Sequence, residues 1–247
     1  MKNNAAAITK ISAKDIDFKD LNEQVKEAKG DVCIDDCYGQ RFIASALKEG
    51  RSLTINGTPG NALGAYLDGA VITVNGNAQD ATGDTMNDGK IIIDGSAGDA
   101  LGYAMRGGAI FVRGDSGYRT GIHMKEYKEK KPAIVIGGKV GSFLGEYLAG
   151  GLIVVLGIGE ESAPVGNFTG TGMHGGKIFI RTEKELAALP SQVAVETAKK
   201  EDLQEIEPLV NEFAQHFGMD ATSLLNDKFL VLKPNAKNPY KQLYTAN

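Results

Sequence analysis

The sequence predicts an all-β protein: a parallel, single-stranded β-helix with coils of about 19 residues and α-helical caps at both ends. Three observations predict it. Glycine is concentrated, with 29 of the 32 glycines between Gly50 and Gly176. Short β-rich segments end at Gly57, Gly76, Gly95, Gly114, Gly137 and Gly157, spaced 19, 19, 19, 23 and 20 residues apart. Two further columns keep the same phase. Gly64, Gly83, Gly102 and Gly121 lie seven residues after the first four, and Leu67, Met86, Met105 and Met124 lie three residues beyond those. Independent columns sharing one period are the mark of stacked repeats.

The strands follow from the residues before each glycine. Two and four positions earlier stand Ile55/Leu53, Val74/Ile72, Ile93/Ile91, Val112/Ile110, Val135/Ala133 and Val155/Ile153, and Ile180/Ile178 continue the series. Period-two spacing puts each pair on one strand face, here the inner one. The residue just before the glycine is often polar (Asn56, Asn75, Asp94, Arg113) and faces outward. Val32-Cys33-Ile34-Asp35 supplies one more rung upstream. Eight rungs therefore start near Val32, Leu53, Ile72, Ile91, Ile110, Ala133, Ile153 and Ile178. Nineteen residues leave little room for the crossover helix of a βαβ unit. No six-residue column marks a hexapeptide helix. Glycine suits the bends because it accepts positive φ without a Cβ clash.

Open solenoid ends expose strand edges and need caps. The chain divides into an N-terminal cap segment (1–31), the β-helix (32–181) and a C-terminal helical cap and tail (182–247). Asp17 can cap a helix running through Leu21 and Val25. Leu203, Ile206, Val210, Phe213 and Phe217 follow helical spacing, with Pro208 starting the second half or kinking it. Asp220 can cap a short helix over Ala221–Leu225. Phe229-Leu230-Val231-Leu232 reads as a strand, and an irregular tail runs from Pro234 to Asn247.

Two surfaces stand out. The insertion Lys125-Glu126-Tyr127-Lys128-Glu129-Lys130-Lys131-Pro132 breaks the period, and a shorter one runs from Ile158 to Pro164. The first is either a solvated loop or a docking finger anchored by Tyr127 with Lys128 and Lys130 beside it. The outward column three before the glycine starts polar with Thr54 and Thr73, then turns apolar: Ile92, Phe111, Ile134, Val154, Phe179. Such a stripe needs a cover, from the C-terminal helices or from a partner subunit.

Chemistry is sparse. A formal charge of −4 without basic excess argues against nucleic acid as the main partner. No apolar run is long enough for a membrane span, and Met1-Lys2-Asn3-Asn4-Ala5 contains no apolar signal region, so a cytoplasmic chain is expected. Cys33 and Cys37 cannot complete a zinc site or a cluster by themselves and read as buried structural thiols. His123, His174 and His216 are far apart, and no metal site is assigned to them. Gly170-Thr171-Gly172-Met173-His174-Gly175 matches G-x-G-x-x-G, but a strand rather than a helix follows it. Asp80, Asp84, Asp88 and Asp99 read as solvated turn residues. No Ser/His/Asp order or nucleophile elbow is present. The residues describe a scaffold, with no catalytic, cofactor-binding or metal residues.

Gly76-Asn77-Ala78-Gln79-Asp80-Ala81-Thr82-Gly83 and the segment Gly166–Gly176 resemble the GXGXG domain at the C-terminus of the glutamate synthase large subunit. Asp36-Cys37-Tyr38-Gly39-Gln40-Arg41 resembles the segment leading into that domain, and Asn238-Pro239-Tyr240-Lys241-Gln242-Leu243 its ending. The resemblance spans roughly residues 32 to 243. It implies a right-handed β-helix that serves as a structural subunit of a split, archaeal-type glutamate synthase. Partner chains would carry the glutamine amidotransferase and the FMN and iron–sulfur synthase functions, adding channelled ammonia to 2-oxoglutarate and reducing the imine with FMN. No catalytic residue carries over, and no cofactor is expected on this chain. N-methylglutamate synthase uses the same three parts, and one of the subunits of formylmethanofuran dehydrogenase shares the repeat more distantly. A reading of a different class is a free-standing, self-associating interaction scaffold.

Overall fold

The structure, a computed structural model, describes residues 8–235. It is a parallel β-solenoid. Nine strands stack in sequence order, each parallel to the next: β1 (Thr9–Ser12), β2 (Val32–Tyr38), β3 (Ser52–Thr58), β4 (Asp68–Asn75), β5 (Asp88–Ile93), β6 (Ala109–Val112), β7 (Ala133–Ile136), β8 (Ala149–Val155) and β9 (Gly175–Arg181). Eight steps at the usual strand spacing give a stack of roughly 38 Å. A second face is held by isolated parallel bridges linking Ala78, Ala97, Ser116, Val140 and Val165 in turn. The third side is a bend built around the Gly64, Gly83, Gly102, Gly121, Gly145 and Gly170 column, all at positive φ.

The inner column runs Val32, Leu53, Ile72, Ile91, Ile110, Ile134, Ile153, Ile178 in direct register. Every member is buried. Seven of these eight positions are those the spacing predicts. The eighth is a correction. Ile134 and Ile136 point inward, while Ala133 and Val135 lie on the outer register of their neighbours. The misreading comes from anchoring on Gly137. The Gly138 amide donates to the Gly114 carbonyl as Gly114 does to Gly95, so Gly138 is the repeat glycine. Register pairs Val112 with Ile136 and Ile136 with Val155, steps of 24 and 19 residues. The insertion thus adds five residues; one 19-residue step follows it, and the next, from Val155 to Ile180, is 25.

The Met column is buried throughout: Leu67, Met86, Met105, Met124, Leu148 and Met173. A further buried column alternates Leu63, Thr82, Leu101, Thr120, Leu144, Thr169. The threonine hydroxyls donate to the Gln79, Gly117 and Gly166 carbonyls in their own turns, so the polar members cost no unsatisfied group. The bend aspartates are more than solvated turns. Asp80 Oδ1 accepts the Asp99 amide and Asp99 Oδ1 the Tyr118 amide, so each stitches its turn to the next. Ser142 accepts the Asn167 amide further along the same column, and Asn77, Ser96 and Asp115 do the same on the neighbouring corner.

The caps are partly as predicted. Helix α1 (Phe18–Glu27) is capped by Asp17, which accepts the Lys19 amide, and buries Leu21 and Val25 in the inner core. The solenoid starts earlier than residue 32, because β1 adds a parallel rung before α1. At the other end, α2 (Lys200–Phe217) runs through Pro208 unbroken, and α3 (Ala221–Leu225) is capped by Asp220. Strand β11 (Phe229–Pro234) pairs antiparallel with β9, and β10 (Val193–Thr197) pairs antiparallel with β11. The end of the core is covered by Leu186, Leu189 and Val193, which pack against the inner cluster. Helices α2 and α3 do not cap that end. They lie along the outer sheet face, where Ile206, Val210, Phe213 and Leu224 join Phe111, Val135, Val154 and Phe179 in a second core.

Candidate interaction surfaces

Phe111 and Ile134, read from sequence as candidate interface residues, are fully buried within the chain. Phe111 lies under α2, with its ring 5.2 Å from that of His216. Ile134 sits in the inner column. Ile92 is partly buried at the margin of the second core. The apolar outer stripe is therefore covered by the chain's own C-terminal helices. Charges fasten the cover. Lys131 and Lys177 on the solenoid both pair with Glu205 of α2, and Lys90 pairs with Glu212. Asp202 accepts the Lys199 amide and bonds Lys233. Burial opposes ionisation of Asp202 and Glu205. The hydrogen bonds from Lys199 and Lys233, and from Lys131 and Lys177, outweigh it and hold both carboxyls below the usual range.

The 125–132 insertion is a small hairpin, with Tyr127 and Lys130 exchanging backbone hydrogen bonds of 3.1 Å. Its base is anchored. Glu126 accepts the Gly151 amide, and Lys130 bridges Asp88 at 2.9 Å and Asp68 at 3.8 Å. The Lys130 ammonium beside Asp88 lowers that carboxyl. Tyr127 and Lys128 form the free tip, Tyr127 being 51% exposed with the Lys128 ammonium 5.3 Å from its ring.

Cys37 is buried and its thiol is pushed up to about 11 by burial. Cys33 is partly exposed, and both cysteines are free. Among the described residues no cluster of three His, Cys, Asp or Glu side chains is placed to hold a metal ion. His174 Nδ1 lies 3.2 Å from the Gly172 carbonyl, on the bend that leads into β9. The G-x-G-x-x-G match thus opens a strand and not a helix. Among the described residues no helix is long and apolar enough to cross a membrane.

The bend side carries a feature that the repeat columns alone do not reveal. Two residues before and two after each bend glycine, the chain again has positive φ. In the later turns these positions hold Arg119, His123, Phe143, Tyr147, Phe168 and Gly172. The rings stack from turn to turn: His123 on Tyr147 at 5.0 Å and 11°, and Phe143 on Phe168 at 5.0 Å and 21°. The signal is present in the sequence two positions before the bend glycine, where Ala62, Ala81 and Ala100 give way to Arg119, Phe143 and Phe168.

The architecture is that of a parallel β-solenoid with its C-terminal helices packed on one outer face. The model of the GXGXG motif family matches residues 11–235, and the chain belongs to that family. It is 43% identical over 251 residues to the uncharacterized protein MJ1350 of Methanocaldococcus jannaschii, covering 96% of each chain. Among solved structures, it is similar to a chain of the formyltransferase/hydrolase complex FhcABCD from Methylorubrum extorquens, crystallised with methylofuran. The TM-score is 0.60 at 22% identity, over 80% of this chain and 71% of that one. At that identity the likeness speaks to the fold.

Proposed function

We propose that this protein is a non-catalytic structural subunit of a multi-subunit enzyme, and specifically of a glutamate-synthase-type oxidoreductase in nitrogen metabolism. The observation that carries the reading is the ordered set of repeat motifs matching the GXGXG family over residues 11–235. The amidotransferase and the FMN and iron–sulfur functions would reside on partner subunits, and glutamate would form from glutamine nitrogen and 2-oxoglutarate. This chain would hold no cofactor itself and would act in the cytoplasm through its surfaces. A second reading is favoured by the structural neighbour: a subunit of a formyltransferase/hydrolase or formylmethanofuran-type complex.

Purifying the tagged chain from its native cell and identifying stoichiometric partners tests both. Co-purified amidotransferase and flavin chains, with glutamine-dependent glutamate formation that falls when this chain is omitted, are the expected result. Partners that act on formyl groups would replace the first reading by the second. Recovery of this chain alone would overturn both in favour of a free-standing scaffold.

A further inference from the structure

We propose that the bend face of the later turns is the docking surface for a partner protein subunit, one that presents apolar side chains around a carboxylate. The proposal rests on the subunit reading above.

The first argument is backbone strain. In the earlier turns, the two positive-φ columns hold Phe42, Ala62, Ala81 and Ala100, and Ala46, Tyr66, Thr85 and Ala104, so Phe42 and Tyr66 are the aromatic members there, and the Phe42 ring meets Phe18 of α1 at 6.1 Å. From Arg119 onward they hold Arg, His, Phe, Tyr and Phe at φ of 59°, 56°, 64°, 54° and 60°, and end on Gly172. Left-handed backbone favours Gly or Asn and costs other residues roughly 1–2 kcal/mol each. Large side chains at such positions need a return, and the core does not supply it. Phe168 is 54% exposed and Tyr147 37% exposed, and the inner core is already complete beneath them.

The second argument is ring orientation. His123 stacks on Tyr147, and Tyr103 meets His123 edge to face at 5.9 Å. Phe143 is covered on one side by Phe168 and on the other by the Arg119 guanidinium at 4.9 Å. Rings stacked along the solenoid axis use their faces on one another and turn their edges outward. A nucleobase needs free ring faces, so this strip is a poor stacking platform. Ring edges flanked by apolar carbon suit a flat protein surface, and Tyr, Phe and Arg are the side chains that anchor such interfaces.

The third argument is charge. Arg119 donates Nε–H to Glu146 Oε2 at 3.1 Å, which fixes the guanidinium over Phe143. The side chain stays half exposed, and its terminal N–H groups extend beyond that bond. A partner carboxylate at this point would complete a fork that Glu146 has already oriented.

The test uses the full chain, co-expressed with the amidotransferase and flavin chains of the same organism. Phe168→Asn and Tyr147→Asn remove the rings while keeping a residue that tolerates positive φ, so urea midpoints should hold or rise. Affinity for the co-purified partner should fall at least tenfold for each. Arg119→Asn should weaken binding and flatten its dependence on salt. Tyr127→Asn, on the hairpin tip, should leave affinity within twofold. No stoichiometric partner for the unaltered chain would overturn the subunit reading and this surface with it. A partner held equally by the Phe168 and Tyr147 variants, or one lost only with Tyr127, would overturn the surface alone.

Discussion

Gly83→Ala is the sharpest probe of the solenoid interior. Gly83 has φ of +73°, and a Cβ added there would lie 2.5 Å from Ile110 Cδ1, with the next nearest atom, Ile91 Cδ1, at 3.5 Å. Two costs combine. An L-residue in left-handed backbone costs roughly 1–2 kcal/mol. Forcing a methyl into a packed core costs a further ~1–3 kcal/mol. The sum is about 2–5 kcal/mol. Gly50→Ala isolates the first cost, since Gly50 has φ of +77° with nothing within 4 Å of the added Cβ. Ile110→Val isolates the second, because it removes Cδ1 and by itself costs about 0.5–1.5 kcal/mol. In the double variant, the clash should vanish. The loss should fall short of the sum of the single losses by at least about 1 kcal/mol. Urea denaturation followed by far-UV circular dichroism measures all four proteins. If Gly83→Ala costs no more than Gly50→Ala, or if the two substitutions add, the bend glycines do not face the isoleucine column and the interior is packed in some other way.

Other outcomes follow from the same structure. Ile93→Asp buries a charge in the inner column and should cost more than about 4 kcal/mol, whereas Asp94→Ala loses one exposed pair with Arg113 and should cost under about 1 kcal/mol; similar urea midpoints would refute the inward/outward assignment. Phe213→Ala should lose roughly 3–5 kcal/mol, because its buried ring fills the second core beside Gly137, and unchanged stability would mean that α2 is loosely attached. Acid should release α2 early: Asp202 and Glu205 have depressed folded values, so their contribution is present above the ordinary carboxylate range and disappears as pH falls through the folded values. Tyrosine fluorescence and helicity against pH would show it, and a helix signal flat to pH 2 would contradict it. The Cys37 thiol, raised to about 11, should react with a disulfide reagent at pH 8 far more slowly than a free thiol; a rate equal to that of free cysteine would show that the site is open.

Most of the solenoid is legible in the sequence because identical environments recur every 19 residues, so each column is read several times. The Met column, and the inner Ile/Val/Leu column in every strand but β7, need no other information. Errors arise where a single turn has to be read alone. Between Arg113 and Gly138, two adjacent glycines offer two anchors, and only the backbone hydrogen bonds select Gly138. That one-residue slip turns Ile134 outward, as any register slip in a strand must. Strand β1 escapes notice because Thr9-Lys10-Ile11-Ser12 has one buried side chain and no glycine column to align with. Strand β10 escapes it because Val193-Ala194-Val195-Glu196-Thr197, with only Val193 buried, is fixed by pairing with β11, a long-range partner. The cover on the outer stripe is one of two alternatives at the level of sequence, and helical spacing does not choose between them. The choice depends on Glu205 and Glu212 of α2 meeting Lys131, Lys177 and Lys90 across the chain.

The two exposed candidates differ in how they are held, and that difference decides which one can transmit binding to the rest of the molecule. The 125–132 hairpin projects from one turn and is tied down by side chains: Glu126 to Gly151, Lys130 to Asp88, Lys131 to Glu205. Replacing it removes those ties together with the tip, so loss of stability and loss of binding would arrive together. The bend strip is held by the solenoid itself. Arg119, His123, Phe143 and Tyr147 each sit two positions from a glycine whose hydrogen atom faces an inner isoleucine, Gly121 facing Ile153 and Gly145 facing Ile178, while Phe168 sits two before Gly170, which faces Met173 and Val193. The strip backbone is further bonded to the next turn, His123 to Glu146 and Tyr147 to Thr171. A partner resting on the strip therefore bears on several turns at once. The pairs of residues four apart, Arg119 with His123 and Phe143 with Tyr147, occupy the two edges of one bend. Their spacing is set by the bend glycine between them. Moving that glycine by one residue would dismantle the strip and the core packing in the same step.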